Sequence, residues 1–247
     1  MRYFKIFFVL TFISLLINEC HAQGKLTFMV HGGVSIPTAA LRGVFVLDDS
    51  TESSYFTKRG FNFGAEGKIN FNRSGNYKLV FGLNYNGFRS SQNITVASSD
   101  TTSYTLTAIP KIHIITASAG MEYDFYPNDN INPYAGLDLT ANFIGGSGFA
   151  DTLSADGQLV SLPYHSETRI GLQLVLGVDI KLSDHIGIDA GFKYNIANLN
   201  KKAVQPAHIS GGEIFLNDSG HINEKGSTVN SKTISYLQYQ TGITFYF

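Results

Sequence analysis

His165-Ser166-Glu167 sets a base, a hydroxyl nucleophile and an acid in succession, the three residue types of an acyl-transfer relay. Adjacent residues of an extended segment point to opposite sides, so these three cannot form a relay by themselves. A role as a lipid hydrolase or acyltransferase is therefore not expected, and the chain is read as a non-enzyme. His31, His113, His185, His208 and His221 are scattered, without the paired spacing of a metal site, and are read as surface or interface residues. Gly145-Gly146-Ser147-Gly148 has the composition of a phosphate loop, but no helix pattern and no Lys-Ser/Thr pair follows it. It is read as the flexible start of a loop, and no cofactor is expected.

The titratable residues that do share a pattern are Glu66, Glu122, Asp124, Asp138, Asp179 and Asp189 with Lys68, Lys78, Lys181 and Lys193. Each falls on the polar side of a segment that alternates apolar and polar residues. In a closed barrel with its apolar side outward these side chains point into the lumen, where isolated charges are costly. Eight strands enclose only enough room for side chains. The charges are thus expected to pair into a plug, with no wide aqueous pore. The acids outnumber the bases, so the alternative is a narrow, gated, cation-preferring path.

Eight period-two segments bounded by turn residues supply the strands that would hold this network: residues 25–36, 60–71, 77–88, 109–126, 132–144, 169–182, 186–196 and 233–247. The sixth is the most regular and the fourth the least. In the last, Leu237, Tyr239, Ile243, Phe245 and Phe247 share one face, and Gln238, Gln240, Gly242 and Thr244 the other. Strands of soluble proteins average ~5–6 residues, whereas a membrane barrel strand needs about 9–11. Connections alternate between tight turns (72–76, 127–131, 183–185) and long polar segments (37–59, 89–108, 145–168, 199–232), as in barrels with brief periplasmic turns and long outer loops. The fold expected is all-β: an eight-stranded antiparallel up-and-down transmembrane β-barrel with both termini on the periplasmic side. A soluble barrel of lipocalin type, with its apolar face turned inward around a ligand, is the alternative. Glycines crowd the polar face and aromatics the strand ends, which favours the membrane form.

Arg2 and Lys5 precede an apolar run over residues 6–17, too short to span a bilayer as a helix, and Cys20-His21-Ala22 follows. Residues 1–22 are read as a signal peptide cleaved after Ala22, and 23–247 as one outer-membrane barrel domain. Acylation at Cys20 is the lesser alternative, because Glu19 is bulky and charged. Removing Arg2, Lys5 and Glu19 takes the formal charge from −1 to −2, so no electrostatic case for nucleic acid arises. Cleavage also removes the only cysteine, leaving neither a disulfide framework nor thiol chemistry.

Four stretches carry a family resemblance: Ala22-Gln23 at the end of the signal, Asn132-Pro133-Tyr134-Ala135-Gly136-Leu137 opening a strand after a tight turn, Lys193-Tyr194-Asn195 closing the seventh, and Gly242-Ile243-Thr244-Phe245-Tyr246-Phe247. With them the chain resembles the outer-membrane β-barrel proteins of Bacteroidetes called PorT-like and, more distantly, the small OmpX/OmpA-type barrels. The resemblance spans residues 23–247. It implies a Gram-negative outer-membrane location and contact with its lipid, and it has no catalytic motif to carry over. Phe247, Phe245, Ile243 and Tyr239 look like the terminal-strand signal that the barrel assembly machinery reads.

Specific function is expected in the long outer loops, which meet an unknown surface partner, with the barrel itself a monomer. The fourth loop, residues 199–232, is the longest. It sets Lys201, Lys202 and Lys225 against Glu213, Asp218 and Glu224. Its Ile214-Phe215-Leu216 is expected to extend the loop's own hairpin above the membrane, with an edge offered to a partner as the alternative.

Overall fold

The computed structural model describes residues 26–42, 55, 57–72, 74–97, 103–153, 159–202, 209–210, 212–222 and 228–247. The segment read as a signal peptide, residues 1–22, lies outside them, as do His208, Glu224 and Lys225. No helix among the described residues is long and apolar enough to cross a membrane; the chain crosses with strands.

Eight long strands form the wall: β1 (Leu26–Ala39), β2 (Arg59–Asn70), β3 (Tyr77–Arg89), β4 (Lys111–Asp124), β5 (Ile131–Leu153), β6 (Leu159–Lys181), β7 (Ile186–Ile196) and β8 (Ile234–Tyr246). Each pairs antiparallel with its sequence neighbour, and β1 pairs with β8 from Thr27↔Tyr246 to Ala39↔Ile234, which closes the sheet. The eight-stranded antiparallel barrel expected from the alternation is the fold that forms. At the rim made by the tight turns, the Phe247 amide donates to the Leu26 carbonyl.

Side chains sort by parity. Phe28, Val34, Phe63, Leu83, Leu139 and Leu176 point outward, with Leu139 65% exposed, while Glu66, Asn84, Glu122 and Lys193 point inward and are buried. A contiguous apolar belt of this kind is untenable in water and suits lipid. The same parity overturns the lipocalin alternative, whose apolar residues would face inward. Aromatic rings gird the tight-turn rim: Phe71 on Tyr77 at 6.0 Å, Tyr77 on Tyr123 at 5.1 Å, and Tyr123 on Phe125 at 5.2 Å.

Several expectations for the outer end are corrected. Residues 145–168 are largely strand, not polar loop: β5 and β6 run on as a paired hairpin to Leu153↔Leu159, past a register shift between Ile144 and Gly146. An antiparallel ladder satisfies its own backbone and needs no membrane to continue. Gly145-Gly146-Ser147-Gly148 is therefore ladder, paired with both β4 and β6. Glycine is needed at position 146, where φ is +146° and a Cβ would strike the Lys111 carbonyl. Residues 92–97 and 103–108, within the second long connection, pair as a separate hairpin.

Ile214-Phe215-Leu216 does not prolong β7 or β8 either: Glu213–Ile214 pairs antiparallel with Ile209–Ser210 inside the fourth connection, and this short hairpin docks elsewhere. β7 ends at Ile196 opposite Leu172, so the outer half of β6 has a bare edge, and Glu213–Ile214 fills it through a parallel pairing of Ile214 with Tyr164. An unpaired edge recruits whatever strand is near. Here that strand comes from the same chain.

Candidate functional site in the barrel lumen

The lumen has three storeys. Nearest the tight-turn rim lie the charges. Lys78 Nζ stands 2.5 Å from Asp124 and 3.9 Å from Glu122, and Lys68 donates to Glu122 at 2.7 Å. Lys193 donates to Glu66, which His31 approaches at 3.6 Å. Asp138 accepts from Gln173 at 2.9 Å, and Asp189 from the Tyr134 hydroxyl at 2.7 Å. Lys68 also lies 4.1 Å above the Tyr134 ring, a cation–π contact out of water. Asp179 accepts from Tyr246 nearer the rim. Lys181 stands apart: its ammonium is partly exposed and pairs with Asp184 of the turn at 3.0 Å.

The middle storey is built of amides and hydroxyls from seven strands. Ser35 donates to Asn86 at 2.8 Å and accepts from Asn62 at 3.1 Å. Asn195 donates to Gln238 at 2.7 Å, and Gln238 to Asn86 at 2.9 Å. Thr116 donates to Asn142 at 2.8 Å, which caps the Ala197 carbonyl at 3.0 Å. None of these residues is chemically exceptional, yet together they span the barrel from wall to wall.

The outer storey is apolar. Phe88, Ile112, Ile114, Ile144, Ile234 and Tyr236 turn inward, and Leu41, Tyr55 and Leu216 fold onto them from the first and fourth outer connections. The Tyr55 hydroxyl donates to the Leu216 carbonyl at 2.6 Å, tying one connection to the other. This cork explains why the fourth strand has the least regular pattern: Ile112 and Ile114 fill the mouth while Ile115 faces lipid, so both faces of the segment are apolar there.

A latch holds the cork. Asp218, fully buried, accepts from Arg169 at 2.9 Å, the Lys202 amide at 2.9 Å and Asn198 at 2.6 Å, and its carbonyl accepts from the Lys232 amide at 2.8 Å. Burial alone would raise the Asp218 carboxyl, but hydrogen bonds from Arg169, the Lys202 amide and Asn198 outweigh it and hold the group below its ordinary value of 3.8. Arg169 shares a second carboxylate, Glu167, at 2.6 Å.

His165 bonds Glu213 at 2.7 Å and stacks on Phe215 at 4.7 Å, whereas Glu167 turns to Arg169, so the triplet's side chains do not converge. His31 is buried in the lumen and not at a surface, which its place on the polar side of β1 could have revealed. His113 and His185 are exposed. Arg169 shares the inward parity of Gln173 and was likewise legible. Asp218 was not, because nothing in its local sequence marks it as the partner of a residue 49 positions away. No group of three or more potential metal ligands occurs among the described residues.

A closed antiparallel barrel with a lipid-facing belt, an aromatic girdle and a filled lumen defines the class of small outer-membrane barrels. The chain belongs to the outer membrane protein beta-barrel domain family, which matches residues 8–242, and that membership places it in the outer membrane. No curated protein matches it in sequence. Among solved structures it is similar to Neisserial surface protein A (17% identity, TM-score 0.47, covering 90% of this chain and 97% of that one). It is also similar to Ail, the attachment invasion locus protein of Yersinia pestis (13%, 0.43, 91% and 99%), and to the N-terminal barrel domain of Pseudomonas aeruginosa OprF (10%, 0.42, 91% and 98%).

Proposed function

We propose that this protein is a sealed monomeric barrel with a structural or interaction role, meeting a surface partner through its outer connections. The observation that carries this reading is the double closure of the lumen: the charged and amide storeys spanning it and the apolar cork made from two connections above them. A pore would need both removed. The β5–β6 hairpin, widened by Glu213–Ile214 and then Ile209–Ser210, presents a four-stranded surface beyond the wall, the kind of platform on which loops bind. Planar-bilayer recordings of the purified barrel test the sealing: the expected result is no steady large conductance, and a stable large open level refutes it.

A narrow path for water or small cations is the second reading. It is favoured by buried side-chain atoms in the lower lumen that have no hydrogen-bond partner, among them both nitrogens of His31 and the amide groups of Asn84 and Gln240. Small, brief openings in the same recordings, altered by Asp179 or Lys181 substitutions, would support it.

In the same reading, residues 1–22 direct export and are cleaved near Ala22, the kinship is with the PorT-like Bacteroidetes barrels, and the assembly machinery reads Phe247, Phe245, Ile243 and Tyr239. Support for the last point is positional. Tyr239, Ile243 and Phe247 project outward, and Phe247, 74% exposed, stands at the tight-turn rim. Deleting Phe247 is expected to lower the outer-membrane yield severalfold while leaving the folded fraction heat-modifiable on gels. Unchanged yield would remove the recognition role.

A further inference from the structure

Among the described residues, outward-facing charge on the wall gathers at one place. Arg59, Arg89 and Lys111 stand at the outer ends of β2, β3 and β4, and all three are exposed with the outward parity of Phe61, Leu83 and Ile115. Arg59 is the direct cross-strand partner of Arg89, and Arg89 of Lys111. The row is bounded by Ser147, opposite Lys111 on β5, and by Ile36 on β1, one step beyond the Ser35–Gly60 pair. Three cations thus stand side by side, and no carboxylate among the described residues pairs with any of them.

Like charges directly opposite one another destabilise an antiparallel pair. Two interstrand spacings put the three backbones within roughly 10 Å, so a single anion can reach all three side chains and turn repulsion into attraction. The height of the row is set by the strands. Twelve residues separate Tyr77 from Arg89 and Tyr123 from Lys111, and the two tyrosines belong to the aromatic girdle of the tight-turn rim. That is roughly 40 Å along a strand, or about 31 Å along the barrel axis at the usual tilt, against a lipid belt about 25 Å tall. The cations therefore lie at headgroup level. Immediately beneath them Phe61 and His113 flank Gly87, and the Phe61 ring lies across that glycine, where a Cβ would meet it at 2.9 Å. Tyr85 stacks on Phe63 at 5.1 Å and on His113 at 6.4 Å. These rings offer no anion, so the charge must be met from outside the wall.

Three physical facts choose the occupant. The tight-turn rim of an outer-membrane barrel faces the periplasm, so this row at the opposite end meets the outer leaflet, which is built of phosphorylated glycolipid. The side chains leave the wall with the parity of the lipid belt and not of the lumen, on the side from which a headgroup approaches. Two of the three are arginines, whose planar forks bond two oxygens of one phosphate at once. We propose that Arg59, Arg89 and Lys111 form a site for a phosphate group of an outer-leaflet glycolipid, whose acyl chains run down over Phe61, Phe63 and Tyr85.

The test is native mass spectrometry of the full barrel in neutral detergent with lipid A, with the same lipid after enzymatic removal of its phosphates, and with dextran sulfate as a soluble polyanion. The phosphorylated lipid should be retained several-fold more than the dephosphorylated one. Arg59→Gln with Arg89→Gln and Lys111→Gln should abolish that preference while the heat-dependent gel shift persists. In phosphatidylcholine vesicles this variant should resist urea as well as wild type or better, because the repulsion has gone with the charges. Lys202→Gln, which removes a cation of the fourth connection, should leave the preference intact. Equal retention of the two lipids, a preference that the triple variant keeps, or retention of dextran sulfate in place of lipid A would each overturn the proposal. If the triple variant does not fold, Arg89→Gln alone removes the centre of the row: it should cut the preference several-fold, and an unchanged preference refutes the site.

Discussion

Glu66→Ala should destabilise the barrel by about 3–5 kcal/mol, the range for breaking a buried ion pair by removing one partner. Glu66 accepts from Lys193, whose side chain has no solvent exposure, and lies 3.6 Å from His31. Without the carboxylate, the buried Lys193 ammonium loses its hydrogen-bonded counter-ion: Lys68 and Lys78 already hold Glu122 and Asp124, and Asp138, which accepts from Gln173, attracts it only through space. Lys193→Met should cost a similar amount for the mirror-image reason. Both substitutions together should cost much less than their sum, because the desolvation penalty vanishes with the second charge. The chain has no tryptophan, so the folded fraction is best read from the gel shift across a urea series in lipid vesicles. Single variants within about 0.5 kcal/mol of wild type would mean that water reaches the pair, and the plugged lumen would have to be given up.

Arg169→Ala is expected to release the cork. Asp218 loses its bidentate partner and Glu167 its guanidinium, while Asn198 and the Lys202 amide remain on Asp218. A local cost of about 3 kcal/mol raises the opened population of the fourth connection roughly 100-fold. Limited proteolysis within residues 199–232 should accelerate by that order while the wall stays intact. Acid should do the same more gradually. The folded-state value of Asp218 is depressed, so its contribution is complete above the unfolded carboxylate value and is lost as pH falls through the folded one. Wild-type cleavage should therefore be slow at neutral pH and rise only below about pH 4. In Asp218→Asn that acid-dependent rise should be absent. Equal cleavage rates for wild type and Arg169→Ala at neutral pH would show that the apolar contacts of Leu216 and Ile214 suffice without the latch.

Alternation with a period of two settled most of the wall. The parity of Phe28, Leu83 and Leu176 against Glu66, Asn84 and Gln173 assigns the residues of the regular strand segments to lipid or lumen before any partner is known, because successive side chains of a strand leave on opposite faces. Turn residues and the alternation of short with long connections then order the eight strands. What the chain's local pattern cannot carry is which inward residues meet. Lys193 and Glu66 are 127 positions apart, and their contact depends on β2 and β7 facing each other across a closed sheet. Ile112 and Ile114 blurred their own strand because they answer to Leu41 and Leu216 in other connections. Parity is a property of each strand and is written locally, whereas pairing distance, register and closure belong to the sheet and are decided only when it closes.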